Sequence, residues 1–144
     1  MPCATPAMAP PRYDTGMSSS TPGLRVLVAD DDPLNLRVAA RLLRDLGHGG
    51  AMVTDGVKAL AALDRQTFDV VLLDIQMPEL DGYGALSAIR ARDLPGRRLP
   101  VIMVSGESGE STRQHFLAAG ADGFLVKPLS VEGLAGALAE VARP

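Results

Sequence analysis

The sequence is poor in aromatic residues and carries a single thiol. Tryptophan is absent and Phe and Tyr together supply 3% of 144 residues, so a core must be built from Val, Leu, Ile, Ala and Met. The single cysteine, Cys3, excludes an internal disulfide framework and a cysteine-based zinc cage, and suits a reducing compartment. No apolar run approaches the ~20 residues a membrane helix requires. The N-terminus lacks the basic region and long apolar segment of a secretory signal. A net charge of −3 leaves no basic footprint for direct nucleic-acid binding. No GxxxxGK[ST] cradle for nucleotide phosphates is present. The expectation is one soluble, cytoplasmic domain, and an apolar content of 47% is enough to give it a core.

Residues 1–23, rich in Pro, Ser, Thr, Ala and Gly, carry no apolar period and read as a disordered arm or linker. The domain is expected over 24–144. From Leu24 onward, strand and helix patterns alternate. Apolar runs at 24–29, 51–53, 70–73, 99–104 and 123–126 read as strands, with Pro100 at a strand start, where a missing N–H matters least. Asp32-Pro33 is a helix start, with Asp32 as N-cap and Pro33 in the first turn, and Gly47 is its stop. Helical spacing places Val38, Ala39, Leu42, Leu43 and Leu46 inward on that first helix. It does the same for Val57, Leu60, Ala61 and Leu63 on a second, at 56–65. Further helices are expected near 83–91, 111–119 and 131–142, the last turning Val131, Leu134, Ala135, Leu138 and Val141 inward. Met52, Met77 and Met103 read as core fillers, His48 and His115 as surface or loop residues. Strand–helix repeated five times predicts an α/β, flavodoxin-like doubly wound (βα)5 three-layer sandwich. Its parallel sheet takes the order 2-1-3-4-5, with the ligand site at the carboxyl ends of the strands.

The chemistry collects at those ends. Asp30-Asp31-Asp32 follows the first strand, Asp74 the third, Ser105 the fourth and Lys127-Pro128 the fifth. Two carboxylates ~4 Å apart repel by about 4 kcal/mol at an effective dielectric near 20. Asp30, Asp31 and Asp74 with Lys127 sum to −2, the charge a single divalent cation balances. Hard oxygen donors suit Mg²⁺ with phosphate oxygens. A carboxylate can attack phosphorus to give an acyl phosphate, and Asp74, alone at the end of the central strand, is the best placed. Asp31 and Asp74 then hold the metal, Lys127 neutralises another phosphoryl oxygen, and Ser105 offers a hydrogen bond. Read singly, these residues have ordinary explanations: N-capping for the triple Asp, a loop dipeptide for Lys-Pro. Together, four strand ends with complementary groups point to a shared phosphate site.

The segments VLVADDDPLNLRVA, FDVVLLDIQMPELDGYGAL, LPVIMVSGE and GADGFLVKPL, in this order, closely resemble the receiver domain of two-component response regulators. The Asp-Pro-x-Asn of 32–35 and Leu-Gly-His of 46–48 look most like receivers of hybrid histidine kinases or their stand-alone relatives. The resemblance implies Asp74 as phosphoacceptor, and Asp30, Asp31, Asp74 and the main-chain carbonyl of Gln76 as Mg²⁺ ligands. It makes Lys127 and Ser105 catalytic, Ser105 and Phe124 switch positions, and Gln76 and Glu107 tuners of phosphate lifetime. It also implies a cis Lys127–Pro128 bond. The partners implied are a histidine kinase or histidine phosphotransfer protein, an unidentified downstream protein, and a phosphorylation-dependent homodimer. No membrane or direct nucleic-acid contact is implied. The chain is then a signalling phosphoacceptor, and not an enzyme beyond self-catalysed phosphotransfer and autodephosphorylation. The face formed by the fourth helix, fifth strand and fifth helix is its output. Few residues follow that helix, so the expectation is a single-domain regulator or a piece of a longer chain.

Some positions depart from the common family pattern: Asp32 where Asn is frequent, Gly106 where Ala is common, and Phe124 without a tyrosine hydroxyl. The arginine stripe Arg37, Arg41 and Arg44 reads as a solvated helix face, and in the family that helix also docks the phosphohistidine donor. Two other readings stay open. A phosphatase of the haloacid dehalogenase type would use Asp30-x-Asp32 after the first strand. A degenerate receiver would never be phosphorylated.

Overall fold

The computed structural model describes residues 23–77, 79–106 and 109–141. Residues 1–22 of the arm expected at 1–23, Pro78, Glu107 and the expected helix end at Ala142 lie outside them. Five strands and five helices alternate: β1 (Arg25–Ala29), α1 (Pro33–Asp45), β2 (Gly49–Val53), α2 (Gly56–Arg65), β3 (Val70–Asp74), α3 (Gly82–Arg92), β4 (Val101–Ser105), α4 (Glu110–Ala118), β5 (Gly123–Val126) and α5 (Val131–Val141). The strands form one parallel sheet in the order β2-β1-β3-β4-β5, as expected.

The period-2 alternation of each strand sorts the core into two layers. Leu27, Ala29, Val71, Leu73, Val101 and Met103 face α2, α3 and α4. Val26, Val28, Val70, Leu72, Ile102 and Val104 face α1 and α5. β3 and β4 are buried along their whole length, which explains their unbroken apolar sequence. The first three helices start on aspartates. Asp32 accepts from the Leu34 N–H (2.9 Å), Asp55 from Lys58 (2.8 Å) and Asp81 from Gly84 (2.8 Å), each satisfying a donor that the helix leaves unpaired. Among the described residues no helix is long and apolar enough to cross a membrane.

Several expectations need correction. β4 starts at Val101 and not Leu99, because the Pro100 carbonyl already accepts the Val71 N–H (3.0 Å) while Pro100 has no donor to return. β2 begins two residues early, at Gly49, where the ladder with Arg25 starts. Val38, Val57 and Val131 are solvent-exposed, as is Ala61. The inward positions of α2 are Gly56 and Ala59, with Leu60, Ala62 and Leu63 packed beside them. Small side chains let that helix approach closely, which turns its larger Val57 outward. Met77 and Met103 are core and Met52 packs against it, as expected. His48 is not a plain surface residue. Half-buried, its Nδ1 accepts the Leu24 N–H at 3.0 Å and ties β1 to the α1–β2 loop.

Candidate functional site

The carboxyl ends of β1, β3, β4 and β5 form the floor of one acidic cleft. Asp30 follows β1, and the Asp30 N–H donates to the Val53 carbonyl (3.1 Å), so its backbone is fixed at the edge of the ladder. Asp74 is the last residue of β3 and only 5% exposed. The loop beyond it folds back tightly: the Ile75 N–H donates to Val104 (3.0 Å) and the Gly82 N–H to Ile75 (2.9 Å). A Cβ on residue 82 would overlap the Asp74 carbonyl oxygen, so glycine is required there by close approach. Ser105 ends β4, buried, and its carbonyl accepts the Lys127 N–H at 2.7 Å, joining two site residues through the backbone. The Lys127–Pro128 peptide is cis, as the resemblance implied.

Lys127 Nζ lies 3.2 Å from Asp30 Oδ2 and 3.2 Å from Asp74 Oδ1, a two-pronged pairing of one ammonium with two buried carboxylates. Asp30 Oδ1 also accepts the Asp32 N–H at 2.9 Å. Carboxylate oxygens of Asp30, Asp31 and Asp74 all fall within 4.8 Å of one another. Burial and then the charge of Asp30 push the Asp74 carboxyl above its usual range, opposed by the Lys127 charge and hydrogen bond and by the Gln76 N–H. Burial pulls the Lys127 ammonium down, but its hydrogen bond to Asp30 and the charges of Asp74 and Asp30 outweigh this and raise it. Three acids facing one base leave an uncompensated charge of −2. The oxygen donor set therefore fits a hard divalent cation.

The cleft brings together Asp31, Asp74, Gln76, Ser105 and Lys127 as the sequence anticipated. Phe124 is not in its wall; it packs, half-buried, against the α2–α4 side of the core. Glu107 lies outside the described residues. Asp32 borders the cleft but uses one carboxylate oxygen to cap α1. Four wall residues were given no site role in the sequence reading: Asn35 on α1, Ile75 after β3, and Thr112 and Phe116 on α4. The i, i+4 spacing of Thr112 and Phe116 carries a signal, because the two share one face of α4. The arginine stripe is exposed along its length, and Arg41 makes a loose 3.8 Å pair with Asp45.

A family model described as the response regulator receiver domain matches residues 26–139. The chain is 36% identical over 126 residues to the sensor protein GacS of Pseudomonas syringae pv. syringae, covering 86% of this chain and 14% of that protein. It is 39% identical over 117 residues to a gliding motility regulatory protein of Myxococcus xanthus, covering 80% of this chain and 15% of that protein. The chain thus spans about a seventh of the length of these curated relatives. Among solved structures, the receiver domain of sensor histidine kinase PA1611 from Pseudomonas aeruginosa PAO1 superposes with a TM-score of 0.74 at 34% identity. The match covers 84% of this chain and 99% of that one, and that structure holds a magnesium ion in its active-site cleft. A chain of the CheX–CheY–BeF3–Mg complex from Borrelia burgdorferi superposes with a TM-score of 0.77 at 28% identity, the match covering 83% of this chain and 90% of that one.

Proposed function

The chain belongs to the response regulator receiver domain family, and from that premise we propose that Asp74 accepts a phosphoryl group in a two-component or phosphorelay pathway. The observation that carries this is the placement of Asp74, buried at the end of the central strand with Lys127 at 3.2 Å and two further carboxylates around it. The receiver unit is taken as residues 24–144.

Asp30, Asp31, Asp74 and the main-chain oxygen of Gln76 would hold Mg²⁺, which supplies charge neutralisation for the phosphoryl oxygens. The Asp74 carboxylate oxygen attacks phosphorus. A P–O bond forms, the bond from phosphorus to the donor breaks, and its electron pair leaves with the donor's histidine nitrogen or acyl oxygen. Lys127 neutralises a phosphoryl oxygen and Ser105 donates a hydrogen bond to another, so the protein contributes mainly position and charge. In this reading Ser105 moves towards the phosphoryl group and makes room for Phe124 to turn inward, and the α4–β5–α5 face changes for a downstream protein or a second copy of the chain. Water attacks the acyl phosphate later, with Gln76 and Glu107 tuning its access. The donor in this reading is a histidine kinase or a histidine phosphotransfer protein, in keeping with the sensor kinases among the relatives. A phosphatase built on Asp30-x-Asp32 loses its support, since the chain is a receiver throughout 26–139.

The test is phosphoryl transfer from a small acyl phosphate in the presence of Mg²⁺. Wild type takes up label that is stable to acid and labile to base, and Asp74→Asn takes up none. Equal labelling of the two proteins would overturn the assignment.

A further inference from the structure

Phe116 stands in two places at once. It is 7% exposed and packed in the core of the α2–α4 side, yet it forms part of the wall of the acidic cleft beside Ser105 and Thr112. Its other neighbours lie outward. The Phe116 ring meets His115 edge-on at 5.1 Å (87° between planes) and Tyr83 at 6.1 Å (69°). His115 and Tyr83 stack on each other at 5.7 Å, with Tyr83 46% exposed. The chain has three Phe and two Tyr in all, so this grouping concentrates a scarce residue class between the phosphoryl cleft and the surface of α3 and α4.

We propose that Phe116 is a second reporter of the cleft's contents, carrying the arrival of a phosphoryl group to the Tyr83–His115 pair on the α3–α4 surface. The proposal rests on the receiver reading of the cleft and adds a route separate from Phe124, which is not in the cleft wall. A phosphoryl group brings a charge of about −1.5 to −2 and three acceptor oxygens. An aromatic ring is negative over its faces and positive at its edge, so it cannot be indifferent to that charge. The ring is rigid and enclosed, so reorienting it disturbs both edge-on contacts, and a close-packed interior passes such a shift on. The ends of α4 favour motion at the cleft side. Beyond its C-terminus, the Gly120 carbonyl accepts from Arg90 Nε (2.8 Å) and Arg98 Nη2 (2.7 Å). At its N-terminus, Gly109 provides no side-chain cap. The described contacts thus hold α4 most firmly beyond Phe116, where the Phe116 carbonyl also accepts the Ala121 N–H (3.0 Å), while Thr112, a turn earlier, borders the cleft.

The experiment is NMR of the full chain with ring-labelled Phe, Tyr and His, titrated with Mg²⁺ and beryllofluoride as the phosphoryl mimic. The ring signals of Tyr83 and His115 shift in proportion to occupancy. Phe116→Leu removes those two shifts while the Phe124 ring still responds, and Phe124→Leu leaves them in place. Should Phe116→Leu not fold, the wild-type titration still decides. A moving Phe124 signal with unmoved Tyr83 and His115 signals overturns the proposal alone, as does a Phe116→Leu protein that keeps both shifts. A cleft that takes neither Mg²⁺ nor the mimic, with no ring responding, overturns the receiver reading as well.

Discussion

His48 links a single protonation to the folded chain. Its Nδ1 can accept the Leu24 N–H only when unprotonated, and burial lowers its pKa against the opposing charge of Asp69. The unfolded chain then binds the proton more tightly than the folded one. The contribution is complete above the ordinary histidine value near 6.5, and is lost as pH falls below it. His48→Gln, which keeps an acceptor that does not titrate, should lose less melting temperature than wild type between pH 7 and pH 5. Equal losses would remove His48 from the explanation. Gly82 makes a second local demand. A methyl group there presses on the Asp74 carbonyl, so Gly82→Ala should cost about 1–3 kcal/mol in denaturant unfolding, in the range of overpacking. It should also slow phosphoryl uptake beyond what lost stability explains. The close approach that demands glycine at 82 belongs to the folded β3–α3 turn and leaves no mark in the sequence.

Element boundaries were legible where a cap or breaker marks them. Asp32-Pro33 opens α1 and Gly56–Arg65 is α2 as read, because capping chemistry is local. Helix rotation was less legible. Apolar residues on three sides of α2 left its phase undetermined by hydrophobicity, and contact with the sheet chose small Gly56 and Ala59 over the larger Val57. Val57→Lys should therefore change stability by no more than about 0.5 kcal/mol. In contrast, Leu43→Ala in α1, fully enclosed, should lose about 2–5 kcal/mol. A large loss at Val57 would mean that the helix sits in another rotation. The join between α3, β4 and the α4–β5 loop had no sequence signature at all. Arg90 donates to Asp93 (2.8 Å), the Leu99 carbonyl (2.8 Å), Asp122 (2.7 Å) and the Gly120 carbonyl (2.8 Å), a meeting of residues up to 32 apart in sequence. The charge-assisted bonds make Arg90→Gln costly, about 1.5–3 kcal/mol by urea unfolding. The same loop anchors α4, so the substitution should also broaden the backbone NMR signals of α4 more than those of α2.

For the molecule as a whole, the doubly wound order was readable because five apolar runs alternate with five helical patterns, and short right-handed crossovers leave few topologies. The order then makes the cleft: sequence-distant Asp30, Asp74, Ser105 and Lys127 become neighbours only because β1, β3, β4 and β5 adjoin in the sheet. What remained hidden was the contribution of helices to the cleft wall, since facing depends on how α1 and α4 lie on the sheet. The assembled cleft holds its acids against their mutual repulsion, with Lys127 as the one ammonium touching them among the described residues. Function and stability therefore oppose each other here, and one substitution can separate them. Asp31→Asn removes an exposed charge from the acidic trio without leaving a buried lysine unpaired, because Lys127 contacts Asp30 and Asp74. In metal-free buffer this variant should melt higher than wild type. Mg²⁺ at a hundred times its dissociation constant should stabilise wild type by about 2.7 kcal/mol through mass action, and the variant far less. Melting curves with and without Mg²⁺ thus cross over between the two proteins. A variant less stable than wild type in the absence of Mg²⁺, or equally stabilised by it, would show that the three carboxylates do not act as one cation site.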